Sequence, residues 1–328
     1  MFNLQDFTRT ATLALFSGFL LSTPASIASA QEKYASIVIN AETDEVLHAR
    51  FADDRRYPAS LTKVMTLYML FDALETGELS LNDRLRVSAN ADRQPASDLG
   101  VKRGSTIKVQ DAIYALITKS ANDVAVVVAE RIGGTEERFA ALMTVKARTL
   151  GLTKTSFYNA SGLPDPRQIT TARDMAKLAE AMLENHGDYY HYFANPKFSW
   201  GRKTYRNHNK LLGKVAGVDG IKTGYTRASG YNLMASAKRD DTRIIAIMLG
   251  GNSSRARNAH VTDLIEAAYL SLGITGTGTQ EQGVSAPQIA FAPSSGVAVS
   301  RVLKTGQDVK IADNTGLTAE GAAEAESE

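Results

Sequence analysis

Apolar positions along this chain follow two periods, one for each half of its architecture. Tyr34–Asn40 (YASIVIN) and Val46–Arg50 are short apolar runs separated by the polar stretch Ala41–Glu45, a pattern that predicts a hairpin. Ala59–Thr76 then reads as a helix, with Pro58 at its entry and Gly77 just past its end. Its apolar residues, from Leu61 and Val64 to Phe71 and Leu74, cover nearly every face, and a helix apolar all round belongs inside a protein. Residues 78–106 are polar, with a strand expected at Arg84–Val87. Helical spacing returns at Val109–Thr118 and runs straight into Lys119-Ser120-Ala121-Asn122. A second apolar helix, Asp123–Ile132, is stopped by Gly133-Gly134. Thr135 caps Glu136–Leu150, closed by Gly151, and Thr170 or Thr171 starts another helix through about Glu184.

After Asn195 the period shortens to that of strands. Phe198–Tyr205 reads as one strand. Gly220–Thr226, Tyr231–Lys238 and Thr242–Leu249 form a meander with Arg239-Asp240-Asp241 as a turn, and Ala256–Leu272 closes the pattern as an amphipathic helix. Strands at both ends with helices between them predict an α+β fold. An antiparallel sheet is assembled from the N- and C-terminal strands and flanked by helices, and an all-helical lobe is inserted between them. A cleft between two such lobes is a common place for a site. No internal repeat is evident.

The flanks change the picture. Residues 1–30 read as a secretory signal peptide: Arg9 and the amino terminus, an apolar run from Ala11 to Leu21, then the small-residue cleavage site Ala28-Ser29-Ala30. The apolar run is short for a bilayer span, so the expected mature chain begins near Gln31 and is exported to the periplasm. From about Thr275 the sequence turns to Gly, Ala, Ser, Thr, Gln and Glu, and residues 275–328 read as a disordered tail. The chain holds no cysteine, which removes disulfides and a thiol nucleophile. Its 44% apolar content supports a sizeable core, and its net charge of +2 comes without a basic stripe, which argues against a nucleic-acid partner. Five scattered histidines show no metal-ligand spacing.

The first turn of the buried helix carries Ser60 and Lys63, three residues apart and so on one face. A lysine among apolar neighbours loses hydration, which favours the neutral amine and makes it a base. A serine at a helix start has unpaired backbone N–H groups beside it. Together they suit a nucleophile, its base and part of an oxyanion hole. A helix-start serine is also an ordinary cap and a first-turn lysine is ordinarily solvated, so this pair alone leaves both readings open. Three short motifs each occur twice: Ser-x-x-Lys at 60–63 and 105–108, Ser-x-Asn at 88–90 and 120–122, Lys-Thr-Gly at 222–224 and 304–306. Context separates them. Ser88–Asn90 lies in a polar loop, Lys304–Gly306 at the edge of the tail, and Ser105–Lys108 lacks an apolar surround. Ser120–Asn122 fills a tight junction between two apolar helices, and Lys222–Gly224 opens the meander. Chemically the second set is complementary. Ser60 attacks a carbonyl, Lys63 accepts its proton, and Ser120 relays that proton to a leaving amine. Asn122 offers an amide to a substrate amide, and Lys222 and Thr223 offer a cation and a hydroxyl to a carboxylate. Gly224 leaves room for substrate against the strand, and the Tyr225 N–H completes the oxyanion hole.

The order and separation of these motifs resemble penicillin-binding proteins and β-lactamases. More closely, the chain resembles the serine-type, low-molecular-mass D-alanyl-D-alanine carboxypeptidases, through PASLTKVMT, KSANDVAV, NASGLPDPRQITTARDMAKLA, HNKLLG and GVDGIKTGYTRASGYNLMASA, over about Tyr34–Leu272. That resemblance implies a β-lactamase/transpeptidase-like catalytic domain over residues 31–274, attack on the terminal D-Ala-D-Ala bond of peptidoglycan stem peptides, and an acyl-serine intermediate. It further implies covalent acylation by β-lactam antibiotics and neither metal nor cofactor. It places Arg257 near the substrate carboxylate, with Arg255 close by as the other candidate. A D,D-endopeptidase cleaving cross-links, or a non-catalytic wall-binding protein, is the competing reading. Many relatives carry a second β-rich domain and an amphipathic membrane anchor. The polar tail here suits neither, so no membrane tether is inferred, and Tyr225 stands where some relatives have histidine. Trp200 and Tyr189-Tyr190 read as packing, and His208 as a hydrogen-bonded structural histidine.

Overall fold

A computed structural model describes residues 33–274; the leader and the tail read from the sequence lie outside the described residues. In chain order the elements are β1 (Ala35–Asn40), β2 (Val46–Arg50), a 3₁₀ turn at Ala59–Leu61, α1 (Thr62–Glu75), β3 (Arg84–Arg86), α2 (Ala89–Asp92), β4 (Thr106–Lys108) and α3 (Val109–Tyr114). A π turn, Ala115–Lys119, leads to α4 (Asn122–Gly133) and α5 (Glu136–Thr149). Then come α6 (Ala172–Asn185), α7 (Gly187–Tyr190), β5 (Lys197–Trp200), β6 (Lys203–Arg206), β7 (Val218–Thr226), β8 (Gly230–Arg239), β9 (Thr242–Gly251) and α8 (Ser254–Ser271).

Five strands form an antiparallel sheet in the order β2-β1-β9-β8-β7, which joins the first strand of the chain to the last. Alternation along each strand sends neighbouring residues to opposite faces. Val38, Leu233, Ala235, Ile244 and Ala246 meet Val261, Leu264, Ile265 and Tyr269 of α8. Ile37, Ile39, Met234, Ile245 and Ile247 face the other way, into the larger core shared with the helical lobe. At the middle of that lobe lies α1, where only Asp72 and Glu75 escape burial. Each fully buried Leu, Met or Phe there contributes about 1.5–3 kcal/mol. The expected α+β architecture, with its terminal sheet and inserted helices, is therefore the one observed.

Two expectations are corrected. Phe198–Tyr205 is a hairpin: Gly201, at φ +57°, and Arg202 turn the chain so that Trp200 pairs with Lys203. The polar segment 78–106 also contains more order than its composition suggested. Leu85 of β3 pairs with Ile107 of β4, both buried, and Ser88 caps α2 by accepting a hydrogen bond from the Ala91 N–H. The helix caps at Thr135 and Thr171 are as expected, each threonine hydroxyl accepting from a backbone N–H three residues on.

Candidate active site

Ser60 sits in the 3₁₀ turn, half-buried, directly after Ala59, whose φ of +47° is left-handed. Such a conformation costs a non-glycine residue about 1–2 kcal/mol and persists only where its surroundings impose it. Asn232 of β8 does so, donating to the carbonyls of Tyr57 (3.0 Å) and Pro58 (3.1 Å) and accepting from the Gly250 N–H at 2.9 Å. The β8–β9 register shifts between Tyr231 and Leu233, a bulge that frees Asn232 for this task.

One turn on, Lys63 is fully buried. Its Nζ lies 2.8 Å from Asn122 Oδ1, 2.5 Å from the Ser161 carbonyl and 3.3 Å from Ser60 Oγ. Burial holds its pKa well below the usual lysine value, the charge of Lys222 adds to that, and Asp123 and Glu136 oppose it. A neutral amine has two N–H donors and one lone pair. Donating to the two closer oxygens leaves that lone pair for the Ser60 hydroxyl.

Ser120 ends the π turn in a left-handed conformation (φ +60°, ψ +40°), and its buried Oγ has no hydrogen-bond partner among the described residues. Asn122 is held by its N–H on the Ser97 carbonyl (2.7 Å) and its Nδ2 on the Pro95 carbonyl (2.9 Å). The expectation that Asn122 serves substrate is thus incomplete: its oxygen and one amide hydrogen are already used within the protein. Asp123, which sequence reasoning passed over, accepts from the N–H groups of Leu99, Gly100 and Val101 and anchors the loop facing this turn. Its signal was an acid in the first turn of a helix, directly before the apolar run Val124–Ala129.

On the third side stands β7, at the edge of the sheet. Lys222 is buried, donates to the Thr223 carbonyl at 3.1 Å, and is pushed down to about 7 by burial and then by Arg257. Arg257 is 4% exposed, and its guanidinium holds the Asn232 carbonyl (3.2 Å) and Asn258 Oδ1 (2.6 Å). Burial pushes it down to about 10. Arg255, the alternative to Arg257 in the sequence, is exposed, whereas Arg257 is buried. Thr223 is buried, whereas Tyr225 is 54% exposed with its ring 4.2 Å from that of Tyr231. Gly224 turns out to serve the protein before any substrate. A Cβ there would lie 3.0 Å from the Ser60 nitrogen and 3.1 Å from the Pro58 carbonyl, so glycine lets the strand press against the serine turn.

The loop 159–168 closes the assembly from below. Gly162, at φ +85°, lies so near Ala59 that a Cβ would be 1.9 Å from its carbonyl oxygen. Asn159 Oδ1 accepts from the Gly162 N–H at 2.7 Å, and Gln168 Oε1 from the N–H groups of Tyr158 and Asn159. A cleft of about 240 Å³ opens beside the turn, walled by Tyr57, Pro58, Leu163, Pro166, Thr226 and Ala228.

All nine residues singled out from the sequence belong to these three converging elements or to the start of α8. The decoys stay apart in role: Ser88 is a cap, Ser105 donates to the Lys102 carbonyl in an exposed turn, and Lys304–Gly306 lies outside the described residues. Tyr189 stacks on Phe71 (4.9 Å) and Tyr190 is buried, as packing requires. His208 differs from expectation: it is exposed at the rim, and its surroundings are the charges of Lys222, Lys119, Lys210 and Arg257.

The sheet, the inserted helices and the convergence of three motifs define a fold of the β-lactamase-like, penicillin-binding class. The chain belongs to the D-alanyl-D-alanine carboxypeptidase family S11, whose profile matches residues 22–253. It is 34% identical to D-alanyl-D-alanine carboxypeptidase DacF of Bacillus subtilis over 73% of this chain and 63% of that one. It is 35% identical to DacC of Escherichia coli, over 75% and 65%. The chain thus spans somewhat under two thirds of the length of these two relatives. Among solved structures, penicillin-binding protein D2 of Listeria monocytogenes, in an ampicillin-bound form, superposes with a TM-score of 0.66 at 30% identity, over 72% of this chain and 96% of that one. The carboxypeptidase DacD of Francisella tularensis gives 0.70 at 28%, over 80% and 74%. No helix among the described residues is long and apolar enough to cross a membrane.

Proposed function

We propose that this chain is a periplasmic serine D,D-carboxypeptidase that removes the terminal D-alanine from peptidoglycan stem peptides through an acyl-serine intermediate. Lys63 takes the Ser60 proton as Oγ bonds to the penultimate D-alanine carbonyl carbon. The N–H groups of Ser60 and Tyr225 receive the oxyanion, a donor pair of which each member is typically worth about 10²–10³ in rate. Lys222 and Arg257 supply positive charge, and Thr223 a hydroxyl, for the carboxylate of the departing residue. As the C–N bond breaks, the unpartnered Ser120 hydroxyl gives its proton to the leaving amine and regains one from the lysine side. Water then cleaves the ester and restores Ser60. β-Lactams, with a carboxylate beside a strained amide, enter the same sequence and stop at the ester.

The observation that carries this reading is the placement of the fully buried Lys63 amine, 3.3 Å from Ser60 Oγ and held by Asn122 and the Ser161 carbonyl. Purified muropeptides test the reaction: loss of one alanine from pentapeptides is expected, and loss of cross-linked dimers instead would make the chain an endopeptidase. A fluorescent penicillin tests the nucleophile. Ser60→Ala should abolish covalent labelling and Ser105→Ala should preserve it; labelling that survives in Ser60→Ala refutes the assignment.

A further inference from the structure

Between Asp188 and Asp219 the chain runs for thirty residues without a single acidic side chain, while Lys197, Arg202, Lys203, Arg206, Lys210 and Lys214 fall within it. All six are exposed, and none forms an ion pair among the described residues. Some cations elsewhere do have acidic partners, as in Arg173–Asp53 and Arg243–Asp219. The hairpin register makes the contrast sharper. Lys197 stands directly opposite Arg206, on the same face as the Ser199–Thr204 hydroxyl pair, and like charges in that position destabilise a strand pair. A sequence free to choose would place an acid at one of the two.

This basic ledge is rigidly tied to the cleft. Phe198 stacks on Tyr114 with ring centroids 5.7 Å apart, and Lys119 lies 5.5 Å over the Tyr205 ring, one residue before Ser120. Asn209 Nδ2 donates to the Gly220 carbonyl at 2.8 Å, fastening the following loop to the start of β7. At its inner end the charges of Lys210 and Lys222 both reach His208. Cationic side chains thus extend from the open hairpin through Lys119 and Lys210 toward the lysine assigned to the substrate carboxylate.

We propose that β5, β6 and the loop through Lys214 form a docking ledge for the carboxylate-bearing peptidoglycan polymer, gripping the wall while one stem peptide occupies the cleft. The proposal rests on the carboxypeptidase reading for its partner. Its chemistry is that of a polyanion: repeated carboxylates spaced along a strand meet repeated, unpaired cations. An anionic membrane surface would also meet cations, but continuity with the cleft favours the polymer that carries the substrate.

The test uses the chain in a Ser60→Ala background, to prevent turnover, with insoluble peptidoglycan sacculi as the probe. Sedimentation should carry the protein down at 50 mM salt and several-fold less at 300 mM, since salt screens exposed charges. Lys203→Glu with Arg206→Glu should weaken binding about tenfold. In the Ser60 background the same pair should change the rate of penicillin acylation by less than about twofold. Equal binding by the charge-reversed protein, or binding indifferent to salt, overturns the proposal. So does charge reversal that releases phosphatidylglycerol vesicles but not sacculi, which would make the ledge a membrane surface. If the double variant fails to fold, Lys197→Gln with Lys214→Gln, which relieves the like-charge pair, gives the same readout. Failure of the carboxypeptidase reading would show separately, as a Ser60 protein that binds sacculi yet releases no alanine.

Discussion

Replacing Gly162 by alanine would put a methyl group where the Ala59 carbonyl already is. The new Cβ would sit 1.9 Å from that oxygen, 2.4 Å from its carbon and 2.9 Å from the Ser60 nitrogen, so either the serine turn or the loop must retreat by more than about 1 Å. Both neighbours are backbone, so no side chain can swing away to absorb the clash. The loop cannot yield quietly either, because the carbonyl just before Gly162 is the 2.5 Å acceptor of Lys63. A displacement of that size between reacting groups costs on the order of 10²-fold. The left-handed backbone adds about 1–2 kcal/mol in stability. Gly77→Ala isolates that second effect: its φ is +74°, nothing lies within 4 Å, and it stands past the far end of α1. Release of D-alanine from a synthetic peptide and the second-order rate of penicillin acylation, measured beside Tm, separate the two. Gly162→Ala should lose about a hundredfold in both rates, and Gly77→Ala a few degrees in Tm with unchanged rates. A Gly162→Ala protein that acylates at the original rate would refute the role given to this contact.

Lys63→Arg should be as damaging to acylation as Lys63→Ala, because a guanidinium cannot serve as a base at working pH; near-normal acylation would mean that Lys63 acts through charge alone. A penicilloyl adduct should persist for minutes or longer by intact mass. No glutamate lies between Asn159 and Leu178, Asp165 is tied by Arg167 at 2.8 and 3.0 Å, and Glu136 holds the Ala160 N–H; clearance within a second would make the chain a β-lactamase. His186, buried between Glu75 (2.7 Å) and Asp72 (3.3 Å), has its pKa raised: burial opposes the charge, and the two carboxylates outweigh it. A raised folded value contributes stability that is complete below the unfolded pKa and fades as pH rises through the folded one. The Tm gap between the original protein and His186→Gln should therefore narrow from pH 6 to pH 9, and a gap that widens would contradict the pairing.

Legibility in the sequence divided by range. Elements set by local periodicity and caps, such as α1, α5 with Thr135 and α6 with Thr171, were readable because the signal lies within one or two turns. Ser60, Lys63, Ser120 and Lys222 were readable as motifs, and the burial of α1 was readable from its all-round apolarity. Asn232 and Gly162 were not singled out, because their purpose lies across the fold: one holds carbonyls 174 and 175 positions away, the other fits against a turn about a hundred residues earlier. Asn232 did leave a trace, a polar amide inside the apolar run YNLMASA, where burial demands partners. The hairpin at 197–206 was read as one strand although its alternation changes phase, Phe198 and Trp200 falling on even positions and Tyr205 on an odd one; that break and Gly201 mark the reversal.

The position of β7 at the margin of the sheet has a consequence for the protein's life among its own copies. A strand with one side unpaired is a template on which any extended chain can zip, and proteins generally hide or blunt such borders. Under the proposed function this border must stay open, since an extended peptide laid along it is how a substrate would be received. The serine turn pressed on Gly224 already covers part of that border. Receptivity to a peptide, which the proposed function requires, and exposure to self-association would then share one strand edge.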